Sequence, residues 1–145
     1  RVRYEHEVVG INGRLDAIQA AILNVKLNHF AEEVKKREEI GDYYISLMKG
    51  KGVMLPFVKE DRTSVFAQFT VRSSKREELI KHLNDNGVPT AIHYPKPLHL
   101  QKCYESLGYK KGDFPIAEKA ANEVFSLPMS PFISDEDVRF VASQF

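Results

Sequence analysis

The chain has 145 residues, 43% hydrophobic and 28% charged, with 21 Lys plus Arg against 20 Asp plus Glu for a formal charge of +1. That suits one ordinary globular unit, gives no basic footprint for nucleic acid or for an anionic membrane surface, and argues against disorder. A single cysteine allows no internal disulfide framework, and the short apolar runs allow no transmembrane helix. A cytoplasmic location is the resulting expectation. The opening RVRYEHEVVGING reads as the interior of a longer polypeptide.

The first turn signal is Asn12-Gly13. Beyond it, Leu15, Ile18, Ile22 and Val25 are spaced as one helix face, and Phe30, Val34, Ile40, Tyr44 and Leu47 continue a second helical stretch after a break near Asn28. Lys49-Gly50-Lys51-Gly52 stops that helix. Val65, Ala67, Phe69 and Val71 alternate with Phe66, Gln68, Thr70 and Arg72, the pattern of a strand with one apolar face. Ser74 followed by Glu77 reads as a capping box that opens a helix with Leu79, Ile80 and Leu83 inside, ended by Asn86-Gly87. A strand over Thr90 to Tyr94 is expected next, stopped by Pro95 and Pro97. A short helix or turn follows around 98–107, and Pro115 opens a helix expected to carry Ala117, Ala120, Ala121, Val124 and Phe125. Leu127-Pro128-Met129 is extended, and Ser134 with Asp137 caps a last helix that turns Val138 and Val141 inward. The order predicts an α+β unit: long helices first, then a small sheet covered by helices.

Two places could carry chemistry on residue type alone. Gly10 to Asp16 lies at the mouth of the first helix, where unpaired N–H groups favour an anion. Asn12 could add an amide donor there and Arg14 a two-pronged fork, although a capped loop with a surface arginine fits the same pattern. His93-Tyr94-Pro95 follows a strand end, a usual place for a site, although a half-buried histidine packed beside its tyrosine fits as well. His93, His99, Cys103 and Asp113 have spacings that match no standard zinc pattern, so no metal site is assigned.

Longer blocks are more specific. Gly10-x-Asn12-x-Arg14-Leu15-Asp16-x-x-Gln19-Ala20-Ala21, Ala67-Gln68-Phe69-Thr70-Val71-Arg72, Pro89-Thr90-Ala91-x-His93-Tyr94-Pro95-x-Pro97-Leu98-His99, Phe114-Pro115-x-Ala117-Glu118 and Leu127-Pro128-Met129 occur in this order. Together they resemble the C-terminal part of nucleotide-sugar aminotransferases of the DegT/DnrJ type, over almost the whole chain. The resemblance implies the small-domain part of an aspartate aminotransferase-like fold and dependence on pyridoxal 5′-phosphate. It implies amination of a UDP-linked or other nucleotide-linked keto sugar, with glutamate as donor, for bacterial surface polysaccharide or related amino sugars. UDP-linked 3-keto-N-acetylhexuronates are the subgroup it most resembles.

The family's Schiff-base lysine and the acidic partner of the pyridinium nitrogen belong to upstream segments that have no match here. The resemblance therefore gives this chain no catalytic residue of its own. It implies instead a homodimer with shared active sites. In that arrangement Asn12 would donate to the cofactor phosphate of the neighbouring subunit, and Arg14, His93 and Tyr94 would line the sugar pocket from across the interface. The expected organisation is one unit over 1–145, with long helices near the dimer interface over 1–50 and the small α/β sheet region over 51–145. A non-catalytic binding or dimerisation module on the same scaffold is the alternative.

Overall fold

The computed structural model describes residues 5, 8–10, 12–13 and 15–145. Two helices come first, α1 (Ala17–Leu27) and α2 (Phe30–Met48), separated at Asn28 and His29 as the residue pattern predicts. Then follow β1 (Phe69–Arg72), α3 (Arg76–Asp85), 3-10 turns at Leu98–Leu100 and Lys102–Leu107, α4 (Pro115–Glu123), β2 (Val124–Leu127) and α5 (Asp135–Ser143). β1 and β2 form a two-stranded antiparallel sheet, with Phe69 opposite Leu127 and Val71 opposite Phe125. A bridge from Met54 to Arg72 extends it on one side, and one from Ala91 to Ser126 on the other.

Ile40, Tyr44 and Met48 from α2 meet Phe69 and Val71, Leu83, Phe125 and Leu127, and Val138 and Val141 in one buried cluster. The Tyr44 and Phe69 rings stack with centroids 4.7 Å apart, and the Tyr44 hydroxyl donates to the Pro128 carbonyl at 2.9 Å. Burial pushes the Tyr44 phenol well above its ordinary range, with Asp137 adding to the effect, so the group remains a neutral donor. α2 lies against α5, and α5 begins as expected, with the Ser134 hydroxyl accepting the Asp137 N–H at 3.0 Å.

The strand expected from Val65 is corrected. Pairing begins only at Phe69, Val65 and Ala67 are exposed, and Phe66 is buried instead. Phe66 sits at φ +40°, in the left-handed region, and this reverses the side-chain alternation ahead of the strand. Its carbonyl accepts from Arg37 Nη1 at 3.3 Å, and its ring lies over Gly41 in α2, so closely that a Cβ there would overlap it.

Three other expectations change. Ser74 does not cap α3: the Ser73 hydroxyl accepts the Lys75 N–H at 3.1 Å, while Arg76 holds Glu77 at 2.9 Å and donates to the Ala121 carbonyl. Thr90 to Tyr94 is not a strand, because only Ala91 pairs, with prolines at 89 and 95 withholding their N–H groups. Val124 and Phe125 belong to β2 rather than to α4, since the chain is already extended at Val124 (φ −76°, ψ 142°).

Candidate functional site

The N-terminal segment delivers Asn12 to an exposed position ahead of α1. The start of α1 is closed by its own side chains: Asp16 Oδ1 accepts the Gln19 N–H at 2.8 Å, and Gln19 Oε1 accepts the Asp16 N–H at 3.4 Å. An anion therefore meets a carboxylate at the helix end and finds the Asp16 and Gln19 N–H groups already taken, and Asn12 would act through its own amide. Arg14 lies outside the described residues. α1 buries none of its residues, and Leu15, Ile18, Ile22, Val25 and Leu27 are each more than half exposed.

His93 and Tyr94 come together at a cleft of about 760 Å³. One wall is the 93–101 segment, the other is Phe114 and the Ala117, Ala120, Ala121 and Val124 side of α4, and the lining is mainly apolar. Asn12 is not among the lining residues.

β2 positions His93. Ser126 exchanges backbone hydrogen bonds with Ala91 at 2.7 and 3.2 Å, which brings the chain beyond Ala91 alongside the strand. The Ser126 hydroxyl is shared between Thr70 Oγ1 at 2.9 Å and His93 Nδ1 at 3.2 Å. The peptide bond between His93 and Tyr94 is cis, and their rings meet edge-on at 5.6 Å. Tyr94 is 62% exposed, its ring on the rim of the cleft. Lys96, also on the cleft, is paired through Nζ with Glu5 at 2.8 and 3.0 Å.

Residue-type reasoning gave no part in the cleft to His99, which lines it, nor to Glu118, which holds His99 from behind. His99 Nε2 is 3.0 Å from Glu118 Oε1, and the same oxygen accepts the Gly112 N–H at 2.7 Å and the Phe114 N–H at 3.4 Å. The hydrogen bond from Gly112, helped by His99 and Phe114, holds the Glu118 carboxyl below the usual carboxylate range. The available signal was the Phe-Pro-x-Ala-Glu block, which places an acid on the first turn of a proline-opened helix. Among the described residues, no group of three or more His, Cys, Asp and Glu side chains converges as a metal site.

All 145 residues match the model of the DegT/DnrJ/EryC1/StrS aminotransferase family. The chain is 43% identical over 145 residues to a pleiotropic regulatory protein of Geobacillus stearothermophilus, covering 98% of this chain and 39% of that protein. It is 40% identical over 141 residues to the UDP-2-acetamido-2-deoxy-3-oxo-D-glucuronate aminotransferase of Pseudomonas aeruginosa, covering 97% of this chain and 38% of that enzyme. DesV of S. venezuelae, solved in complex with ketimine intermediate, superposes with a TM-score of 0.85 at 37% identity, over 99% of this chain and 39% of DesV. The chain thus spans about two-fifths of the length of these relatives, and it belongs to the DegT/DnrJ/EryC1/StrS aminotransferase family.

Proposed function

We propose that the chain is the C-terminal portion of a pyridoxal 5′-phosphate-dependent aminotransferase that aminates a nucleotide-linked keto sugar with glutamate as donor. The product would serve bacterial surface polysaccharide or a related amino-sugar route in the cytoplasm. The observation that carries this reading is the family match along the whole chain, joined to 40% identity with a relative named for a UDP-linked 3-oxo sugar acid. On the same ground the substrate is a UDP-linked 3-keto-N-acetylhexuronate.

The chain's own residues fit a share of such a site. Asn12 is exposed and unburdened by core packing, so its amide can reach a phosphate oxygen held by another subunit. Arg14 follows two residues later and offers a fork that matches the carboxylate of a hexuronate. His93 keeps Nδ1 on Ser126, which would leave Nε2 for the ligand, and Tyr94, largely exposed on the cleft, would add its ring. The apolar wall of α4 keeps water from the sugar face. The cleft's lysine, Lys96, is paired with Glu5, and the Schiff-base lysine is assigned to the part of the protein outside these 145 residues. When bound, the cofactor supplies the electron sink through which an amino group replaces a keto oxygen.

The uncovered apolar face of α1 supports the shared arrangement, with residues 1–50 near a homodimer interface and residues 51–145 forming the sheet region. A mixed dimer tests it. One full-length subunit lacks its Schiff-base lysine, and the other carries His93→Ala and Tyr94→Phe. Each homodimer is nearly inactive, and a statistical mixture recovers about a quarter of wild-type activity, because half of the molecules regain one working site. A mixture that stays inactive although hybrids form places His93 and Tyr94 in their own subunit's site. The second reading, a non-catalytic scaffold, is favoured by the 43% identity to a regulatory protein, and a full-length chain without the upstream lysine would establish it.

A further inference from the structure

The segment from His93 to His99 carries the proposed sugar contacts and is stiffened by Pro95 and Pro97. Its near end is fixed on β2 by the paired backbone bonds of Ala91 and by the bond from His93 to Ser126. Its far end is fixed by one carboxylate oxygen. Glu118 Oε1, on the first turn of α4, collects His99 Nε2, the Gly112 N–H and the Phe114 N–H. The His99 and Glu118 side chains are 8% and 14% exposed. The Phe114 ring lies against His99 at 4.8 Å and Tyr109 at 5.0 Å, which covers one side of the pair.

We infer that Glu118 is a positioning residue: through His99 it pins the far end of the His93–His99 segment and so sets the place of Tyr94 at the keto-sugar pocket. The inference rests on the aminotransferase reading above. It follows from how the donors are shared. An ionised oxygen accepting three donors makes strong bonds, and removing it leaves the half-buried His99 ring without its partner while the exposed Gly112 and Phe114 N–H groups turn to water. The Lys96–Glu5 pair between the two ends is a partly exposed ion pair and the weaker hold, so a proline-stiffened segment released at His99 shifts about its near end and carries Tyr94 with it.

The test uses the full-length protein, with Glu118→Ala, Glu118→Gln, His99→Gln and His99→Asn. Gln at position 118 keeps the acceptor and gives up the charge. At position 99, Gln carries its amide near the place of Nε2, whereas Asn falls short. Hydrogen exchange of the 93–101 peptide should speed up about tenfold or more in Glu118→Ala and His99→Asn, and stay within about threefold of wild type in the two Gln variants. Single-turnover kinetics should show kcat/KM for the keto-sugar half-reaction falling by about tenfold or more in the same two variants. The glutamate half-reaction should change by less than about threefold, and the Gln variants should recover the sugar half-reaction.

If Glu118→Ala does not fold, the His99 pair decides alone. Unchanged exchange in the destabilised variants overturns the pin whatever the activity. Faster exchange with both half-reactions slowed alike overturns the positioning role and leaves a structural bond. A wild-type protein that aminates no keto sugar overturns the functional reading, and the sugar-positioning claim with it, before any variant is made.

Discussion

α1 and α5 are helices of similar build and opposite fate. Each begins with a capping side chain, Asp16 in one and Ser134 in the other, and each carries an apolar face. α5 buries Val138, Val141 and Ala142 against α2 and the sheet, while α1 buries nothing and leaves Ile18 75% and Val25 65% exposed. Local signals start a helix, but they do not say what its face will meet. The face of α5 meets residues of this chain. That of α1 stays uncovered among the described residues, and the proposed function assigns it to a partner subunit.

The difference can be broken from the side of the core. Phe69→Ala removes a fully buried ring stacked on Tyr44 and should cost about 3–5 kcal/mol in chemical denaturation. A cost below about 1 kcal/mol would mean that this cluster is not what holds the unit together. On the recognition side, Arg14→Ala in the full-length protein should cost about 1.5–3 kcal/mol in the keto-sugar half-reaction, with Arg14→Lys also damaging because the fork is lost. An unchanged half-reaction makes Arg14 a surface residue.

The caps give a finer comparison. Ser134→Ala should cost about 1 kcal/mol of global stability, because α5 is part of the core. Asp16→Ala should lower the helicity of α1, seen by circular dichroism, with little effect on the unfolding midpoint. The smallest effect belongs to Ile22→Ser on the face of α1. In the 145-residue chain it should shift stability by less than about 0.5 kcal/mol, whereas in the full-length protein it should weaken subunit association in sedimentation velocity. A loss in the short chain as large as that of Phe69→Ala would place α1 on its own core.

What could be read from the sequence divides along the same physical line. Helix faces, the Asn28 break, the Gly87 and Ser134 boundaries and the proline start of α4 are local, and they appear where the residue types put them. The strand edges failed where distant contacts decide. Phe66 leaves the strand pattern because its ring reaches α2, and Thr90 to Tyr94 pairs only at Ala91. His93 and Tyr94 were legible as a pair, since they are adjacent in the chain and belong to a recognisable block. The Ser126 hydroxyl that orients His93 was not, because its partners lie 33 and 56 residues away. Glu118 was legible as part of a block but not as the partner of His99, which lies 19 residues away.

The contact between Phe66 and Gly41 has a consequence for anyone altering this protein. Replacing a helical glycine by alanine normally stabilises a helix by about 1 kcal/mol. At position 41 the added methyl would drive Phe66 off its seat, and with it the turn that leads into β1, so the sign should reverse. A scan of α2 for more stable variants should therefore find its only glycine fixed, while exposed neighbours such as Glu39 and Asp42 accept most residues. Relief should come only from a paired change that shrinks the ring at 66, so the two positions are expected to vary together or not at all.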